Sequence, residues 1–286
     1  MSRLAAVLGH PVSHSKSPAM HRAAYALLGE DIDYSAIDVT EAGLPALMQQ
    51  VAAEPAWCGL SVTMPLKTAV IAEVHEVRGV ADVLGVVNTV AFEGTGSNAR
   101  RIAYNTDVEG IVSAVRYAGV GEPGQAVVIG GGATSAAAVA ALSALGARAV
   151  QVFVRDTGRA TDARAAAGAL GISLDVRPLS GAAQAVAGAD VVISTLPPRA
   201  ADGLAGELEQ LQPATPGVLL DVAYDPWPSR IAGAWSAGGG TVVPGLEMLL
   251  YQAVEQVRLF TGRGEDVNAA VIDVMCDAVG LPRRAY

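Results

Sequence analysis

Cysteine is scarce in this sequence, and so is positive charge. Only Cys58 and Cys276 are present among 286 residues, too few for a disulfide framework or a cysteine-based metal cluster. The N-terminus lacks the pattern of a signal peptide, because Arg3 is followed by only five apolar residues before Gly9. We therefore expect a reducing, cytoplasmic location and no metal site.

The net charge excludes some classes of partner. A formal charge of -9 disfavours nucleic acid and anionic membranes, because such ligands need a basic surface. The longest uncharged stretch lies between Gln125 and Arg148, and glycines and hydroxyl residues interrupt it. A strand, a glycine turn and a buried helix fit this stretch better than a membrane span. We expect a small-molecule ligand, with no nucleic-acid or membrane partner.

Lysine is also scarce, which draws attention to Lys16 and Lys67. They are the two lysines among 19 cationic side chains. A buried ammonium can release its proton, whereas a guanidinium stays charged. Lys67 is therefore the first candidate for proton transfer, although compositional bias would also explain the scarcity.

At 286 residues, the chain is longer than most domains with a single hydrophobic core, which favours two domains. Short aliphatic and β-branched runs alternate with alanine-rich segments, the pattern of parallel α/β proteins. Residues 93–98 leave no room for a helix, so 88–104 is predicted to be a hairpin. The predicted strands are 4–8, 34–39, 59–63, 88–92, 101–104, 126–129, 151–154, 174–177, 191–194, 218–222 and 241–243.

A glycine turn is the strongest general signal. The apolar run 126–129 ends in Gly130, Gly131 and Gly132 and leads into an alanine-rich helix, with Ser135 at the spacing of a third glycine. Backbone N–H groups and the helix dipole can approach a pyrophosphate closely at such a turn. Taken alone, the pattern also fits a tight turn that binds no ligand.

The next predicted strand suggests which dinucleotide would bind. Arg155 and Arg159 follow it, and two cations near the adenosine ribose favour the 2′-phosphate of NADP over NAD. Asp156 would oppose this phosphate unless it turns away or pairs with an arginine. An exposed cluster at a helix start is the structural alternative.

Polar groups in the first third of the chain suggest an anion site. Ser15 and Ser17 precede a predicted helix whose N-cap we expect to be Ser17, because Pro18 follows it. Two hydroxyls beside a helix N-terminus suit a carboxylate. Thr63 ends a predicted strand, and Pro65 fixes the turn that presents Lys67.

The predicted hairpin adds polar groups at both of its ends. Asn88 begins it and Asp107 follows it. The spacing of Thr106 and Glu109 is that of a capping box, which offers a purely structural explanation of Asp107.

Taken in order, these motifs resemble those of the shikimate dehydrogenase family over nearly the whole chain. The matching segments are 14–18 (HSKSP), 62–67 (VTMPLK), 87–89 (VNT), 105–107 (NTD), the glycine turn, 221–226 (DVAYDP) and 245–252 (GLEMLLYQ).

The resemblance implies a two-domain α/β fold. An N-terminal α/β substrate domain completed by C-terminal helices would comprise 1–106 and 245–286. A Rossmann-like dinucleotide-binding domain, 107–244, would be inserted between them, with the site in the cleft.

The resemblance also implies an activity, the NADPH-dependent reversible reduction of 3-dehydroshikimate to shikimate. Lys67 and Asp107 would form the catalytic pair. The ring acid would be bound by Ser15, Ser17, Thr63, Asn88, Tyr224 and Gln252. NADP would be bound by Gly130, Gly131, Gly132, Ala133, Thr134, Arg155, Arg159, Thr195, Gly245 and Met248.

The sequence departs from the family pattern near the cofactor, and alternatives follow. Val154-Arg155-Asp156 stands where relatives often have Asn-Arg-Thr, and Glu247 replaces a frequent glycine. A quinate or dual quinate/shikimate dehydrogenase using NAD is one alternative, against which Ser17 argues mildly. A non-catalytic dinucleotide-binding regulatory domain is another. We expect a monomer or a homodimer.

Overall fold

In the computed structural model, residues 2–94, 99–211 and 217–284 are described. The strands are β1 Arg3–Gly9, β2 Ile32–Asp38, β3 Trp57–Val62, β4 Glu76–Val77, β5 Thr89–Glu93, β6 Arg100–Tyr104, β7 Ala126–Ile129, β8 Ala149–Val154, β9 Ser173–Pro178, β10 Val191–Ser194, β11 Val218–Asp221 and β12 Thr241–Pro244. The helices are α1 Ser17–Leu28, α2 Leu44–Ala53, α3 Val80–Leu84, α4 Asp107–Tyr117, α5 Ala133–Ala144, α6 Thr161–Leu170, α7 Ala182–Ala187, α8 Asp202–Leu211, α9 Arg230–Ala237, α10 Gly245–Thr261 and α11 Ala269–Val279.

The chain divides into two compact units. Unit 1 comprises Met1–Thr106 and Leu249–Tyr286, and unit 2 comprises Asp107–Met248. Each unit contains one six-stranded sheet. The predicted α/β class is confirmed. The assignment of a ligand to each domain stays a prediction.

The sheet of unit 1 is mixed. Its strand order is β2-β1-β3-β5-β6-β4, with β1 parallel to β2 and β3 and with β5 antiparallel to β3 and β6. The predicted hairpin is confirmed by the β5–β6 register, although residues 95–98 of its connection lie outside the described residues. The sequence pattern missed β4, because two residues are too short to form a recognisable apolar alternation.

The sheet of unit 2 is parallel throughout. Its order is β12-β11-β10-β7-β8-β9. The chain starts in the middle of the sheet at β7, builds outwards to β9, and then crosses to β10 on the other side. This is the doubly wound order of dinucleotide-binding folds, and β7 and β10 meet at its switch point.

Small side chains allow close packing between helix and sheet in unit 2. In α5, every residue from Ser135 to Leu142 is buried, so this helix is covered on all sides, as its uncharged sequence requires. The four strands nearest the centre, β7, β10, β11 and the end of β8, are also buried.

In the part of the chain that the structure describes, no helix is both long and apolar enough to cross a membrane.

Candidate active site

In unit 1, backbone hydrogen bonds join the carboxyl ends of β1 and β3 to the start of β5. The amide of Thr63 donates to the carbonyl of Leu8 at 2.8 Å, and that of Val62 donates to the carbonyl of Asn88 at 2.7 Å. Gly9 must be small here, since a Cβ would lie 2.4 Å from Cγ2 of Thr63. Thr63 and Asn88 are therefore held at one edge of the sheet.

Lys67 reaches the same edge through a turn. The amide of Leu66 donates to the carbonyl of Thr63 at 2.9 Å, and the carbonyl of Lys67 accepts from the amide of Val87 at 2.9 Å. Lys67 is half-buried. Because Val87 precedes Asn88, the predicted proton-transfer residue and a predicted substrate ligand are neighbours in space.

Asn88 is the centre of a buried polar cluster in unit 1. Its Nδ2 donates to Oγ1 of Thr106 at 2.9 Å and to Oε1 of Gln252 at 3.3 Å. Its Oδ1 accepts the backbone N–H of Thr106 at 2.7 Å and the hydroxyl of Thr89 at 2.9 Å. All four side chains are buried. The cluster brings Asn88 and Gln252 together, although 164 positions separate them.

The two serines of the first loop have other roles than their spacing predicts. Helix α1 begins at Ser17, and Lys16 is at the N-cap without a capping side chain. The prediction that Ser17 is the N-cap was therefore wrong, because Ser17 is already the first residue of the helix, and it is buried there. Oγ of Ser15 accepts the backbone N–H of Ser17 at 3.3 Å. Ser15, half-buried, thus orders the turn that enters α1.

The remaining predicted substrate-side residues belong to unit 2. Asp107 is the first residue of α4 and is buried. It follows directly after Thr106, whose hydroxyl contacts Asn88. Tyr224 comes after β11 and is half-buried, and this burial raises the pKa of its phenol above the usual range.

The three glycines of the turn after β7 differ in how much space a side chain would have at each position. Gly130 has a φ of +118°, and a Cβ on it would lie 2.2 Å from Oγ1 of Thr195. A Cβ on Gly131 would lie 2.9 Å from Cγ1 of Val154. A Cβ on Gly132 would meet nothing within 4 Å. Packing within the protein explains the first two glycines, whereas the third leaves room for a ligand to approach the backbone.

Thr195 and Ser135 complete this turn. The amide and the hydroxyl of Thr195 both donate to the carbonyl of Ile129, at 2.8 and 3.0 Å. The hydroxyl of Ser135 donates to the carbonyl of Gly132 at 2.6 Å. The serine at the third glycine's position therefore closes the turn by a hydrogen bond. Ala133 and Thr134 form the first turn of α5, where N–H groups lack helical partners.

The segment after β8 presents two arginines to solvent. Arg155 and Arg159 are exposed, and a short 3-10 helix spans Thr157–Arg159. The carboxylate of Asp156 accepts the backbone N–H of Gly158 at 2.9 Å. Asp156 therefore caps this helix.

Two further predicted cofactor ligands lie at the start of α10. A Cβ on Gly245 would lie 2.2 Å from the carbonyl oxygen of Val222, so only glycine fits there. Met248 is buried. Nearby in unit 2, Asp221 accepts the hydroxyl of Ser229 at 2.6 Å, and burial raises the pKa of its carboxyl.

The fit to a dinucleotide can be judged from these features of unit 2. A parallel doubly wound sheet, an open position at Gly132 and an uncharged helix N-terminus suit a pyrophosphate, and two exposed arginines suit a further phosphate.

Family models match the chain in three segments. The shikimate dehydrogenase substrate binding domain matches residues 7–90, and the shikimate 5'-dehydrogenase C-terminal domain matches 245–269. Residues 103–234 match the alanine dehydrogenase/PNT C-terminal domain.

A curated relative decides the family. The chain is 40% identical over 270 residues to a shikimate dehydrogenase (NADP(+)) of Rubrobacter xylanophilus, a match that covers 93% of each chain. This chain belongs to the shikimate dehydrogenase family.

Solved structures of the family have the same fold. A shikimate dehydrogenase of Mycobacterium tuberculosis superposes with a TM-score of 0.84 at 36% identity, covering 97% of this chain and 99% of that one. A shikimate 5-dehydrogenase of Thermus thermophilus in complex with NADP(H) and shikimate gives a TM-score of 0.77 at 31% identity, covering 97% and 100%. The family resemblance read from the motifs is thus confirmed.

The sequence motifs missed part of the buried polar cluster. Thr89, Ser61 and Gln256 each form side-chain hydrogen bonds in it, yet none was predicted to have a role. Gln256 is one helical turn after Gln252 on α10. This i,i+4 spacing of two glutamines on a helix that is otherwise largely apolar was the available signal.

Proposed function

We propose that this chain is a shikimate dehydrogenase that catalyses the reversible NADPH-dependent reduction of 3-dehydroshikimate to shikimate. The observation that supports this most directly is the buried cluster of Asn88, Thr106 and Gln252. Lys67 lies beside this cluster, because its backbone carbonyl accepts a hydrogen bond from the amide of Val87. A mostly apolar core that holds so many amide and hydroxyl groups at one sheet edge suits a polyhydroxylated ligand, because each ligand hydroxyl needs a partner when it leaves water.

The proposed substrate contacts divide by chemistry. Ser15 and Ser17, beside the N-terminus of α1, suit the carboxylate, since hydroxyls donate to it and the helix dipole favours negative charge. Thr63, Asn88 and Gln252 suit the ring hydroxyls. Tyr224, in unit 2, is proposed as a further ligand of the acid.

The proposed proton transfer uses Lys67 and Asp107. NADPH, when bound, supplies the hydride to the ketone carbon. The ketone oxygen then gains negative charge, and the ammonium of Lys67 donates a proton to it, with Asp107 holding the ammonium in position. In the alternative assignment, Asp107 donates the proton and Lys67 stabilises the charge. The two assignments predict different behaviour for Lys67→Arg.

The cofactor is proposed to lie along the turn after β7. Gly130, Gly131 and Gly132, with Ala133 and Thr134 at the start of α5, would hold the pyrophosphate. Arg155 and Arg159 would bind the 2′-phosphate, and the relative's activity with NADP(+) supports this preference. Thr195, Gly245 and Met248 would flank the nicotinamide half.

A spectrophotometric assay tests the proposal. Purified protein mixed with shikimate and NADP⁺ should form NADPH, and the same assay with quinate and NAD⁺ compares the rival activity. A higher kcat/KM for quinate with NAD⁺ would replace the proposal by a quinate dehydrogenase. Absence of turnover with both acids and both cofactors, in protein that still binds NADP⁺, would favour the regulatory alternative.

Location and assembly belong to the same proposal. We propose a cytoplasmic enzyme, on the basis of its two isolated cysteines, both buried thiols. Burial raises the pKa of Cys58 to about 11, which leaves its thiol unreactive. A monomer or a homodimer is expected, and light scattering on the purified protein distinguishes them.

A further inference from the structure

Gln256 extends the polar cluster around Asn88 in unit 1 and is 1% exposed. Its Oε1 accepts the hydroxyl of Ser61 at 2.7 Å and lies 3.2 Å from Nε2 of His21. Its Nε2 donates to Oγ1 of Thr89 at 2.9 Å and to the carbonyl of Asn88 at 3.3 Å. One amide group of α10 is thus bonded to residues of α1, β3 and β5.

The partners on one side fix which way this amide faces. Tyr34 donates its hydroxyl proton to Oγ of Ser61 at 2.7 Å, so Ser61 gives its own proton to Oε1 of Gln256. An amide oxygen only accepts, so His21 carries its proton on Nε2. Its Nδ1 then accepts the hydroxyl of Tyr25 at 2.9 Å. The ring is neutral, because burial lowers the pKa of His21 to about 3.

On the other side of Gln256, the hydrogen bonds of Thr89 orient the side-chain amide of Asn88. Thr89 receives a hydrogen bond from Nε2 of Gln256, so its single hydroxyl proton points to Oδ1 of Asn88, 2.9 Å away. The same Oδ1 accepts the backbone N–H of Thr106. The amide oxygen of Asn88 is therefore turned into the protein, and its amino group faces Gln252 and the hydroxyl of Thr106.

We propose that Gln256 is a positioning residue of the ring-acid site, acting through Thr89 to keep the amino group of Asn88 on the side of Gln252, where a hydroxyl of the substrate would replace Oε1 of Gln252, 3.3 Å away, as its acceptor. This inference rests on the proposed function, in which Asn88 contacts the ring. The same glutamine is also linked through Ser61 to Tyr34.

The path through Thr89 makes a specific prediction about two variants. Gln256→Met keeps the size of the side chain and removes both polar groups, and Thr89→Val removes the hydroxyl between Gln256 and Asn88. Each should raise KM for shikimate about tenfold, the usual weight of one oriented hydrogen bond, with kcat and KM for NADP⁺ changed by less than about twofold. KM of the double variant for shikimate should exceed that of the more affected single variant by less than about twofold, because both changes break the same path.

Val257→Ala provides the matched control. Val257 is the next residue of α10 and is fully buried, so its truncation destabilises the same helix without removing a polar group. It should lower the unfolding temperature while changing KM for shikimate by less than about twofold. Should Gln256→Met not fold, Thr89→Val and Val257→Ala form the same comparison.

Several results would overturn the proposal. They are equal increases of KM for shikimate and for NADP⁺ in Gln256→Met, multiplicative effects in the double variant, or an increase of KM for shikimate in Val257→Ala as large as that in Gln256→Met. Wild-type protein that does not oxidise shikimate would instead refute the proposed function.

A readout without substrate then still tests the positioning role. The side-chain amide protons of Asn88, assigned in NMR spectra with Asn88→Asp, should exchange with solvent at least about tenfold faster in Gln256→Met than in wild type. Unchanged exchange would remove Gln256 from this role.

Discussion

The ring of Phe260 occupies the space beside the backbone of Gly59, where a Cβ would lie 2.2 Å from Cδ1 and 2.4 Å from Cε1 of the ring. Gly59 is on β3 and Phe260 is on α10, and both are buried. The close contact lets α10 lie against the sheet of unit 1. Gln252 and Gln256 on α10 reach the polar cluster through this packing.

Gly59→Ala should lower the free energy of unfolding by about 1–3 kcal/mol, because the buried ring has little room to move away. Gly168→Ala is the matched control. Gly168 is exposed in α6, a Cβ there would meet nothing within 4 Å, and alanine should stabilise the helix by up to about 1 kcal/mol. Urea unfolding of both variants measures the difference. Equal stability of the two would contradict the packing argument.

The glycines of the turn after β7 should separate stability from cofactor binding. Gly132→Ala should raise KM for NADP⁺ about tenfold or more, since its methyl group would enter the space left for the pyrophosphate, with the unfolding free energy nearly unchanged. Gly130→Ala should instead destabilise the fold by about 2–4 kcal/mol, because of its positive φ and its contact with Thr195. Both are measured by kinetics and by thermal unfolding, and a stability loss in Gly132→Ala equal to that in Gly130→Ala would refute the distinction.

Lys67→Ala should reduce kcat about 10²–10⁴-fold, which corresponds to roughly 3–5 kcal/mol of barrier, with KM for shikimate much less affected. Lys67→Arg is the informative companion, because guanidinium keeps the charge but does not release a proton. If Lys67 is the proton donor, both variants should be slow. Substantial activity in Lys67→Arg would identify Lys67 as a stabiliser of charge and transfer the acid role to Asp107, and near-normal turnover in Lys67→Ala would remove Lys67 from the mechanism.

Arg155→Ala should raise KM for NADPH about 10–100-fold and KM for NADH by less than about threefold, since only the former carries a phosphate for the guanidinium to bind. Arg148→Ala is the control. Arg148 is exposed immediately before β8, at the opposite end of that strand from Arg155. Steady-state kinetics with both cofactors measure the effect. An equal loss with NADPH and NADH would show that Arg155 does not read the 2′-phosphate.

His21 should make the stability of the protein sensitive to acid. Burial lowers the pKa of His21 from 6.5 to about 3, so the unfolded chain binds a proton over this interval that the folded chain does not. The contribution to stability is fully present above about pH 6.5 and is lost as the pH falls towards about 3. The loss should reach about 2–4 kcal/mol at about pH 4.

The measurement compares wild type with His21→Gln by urea unfolding across this range. Carboxyl groups titrate in both proteins, so the difference between them isolates His21. The stability advantage of wild type should shrink as the pH falls. A difference that stays constant with pH would show that His21 is not held neutral in the folded chain.

Much of the fold was readable from local pattern. The eleven predicted strands each correspond to an observed strand, and the hairpin of β5 and β6 follows from a connection too short for a helix. One strand was missed and one local prediction was wrong, for different reasons. Strand β4 is too short to carry a periodic signal, and Ser17 is not the N-cap because helix α1 already begins at Ser17, which is buried.

The amino-acid sequence by itself determined the class of the fold, the order of its polar motifs and the family to which they point, because periodicity, turn residues and motif spacing depend on neighbours along the chain. Only the tertiary structure decided the order of the strands within each sheet and the hydrogen-bond partners of the buried side chains. Gln256 and His21 are 235 positions apart and meet at 3.2 Å. Such a pairing arises when helices and sheet close around a shared core, where each buried polar group must find a partner.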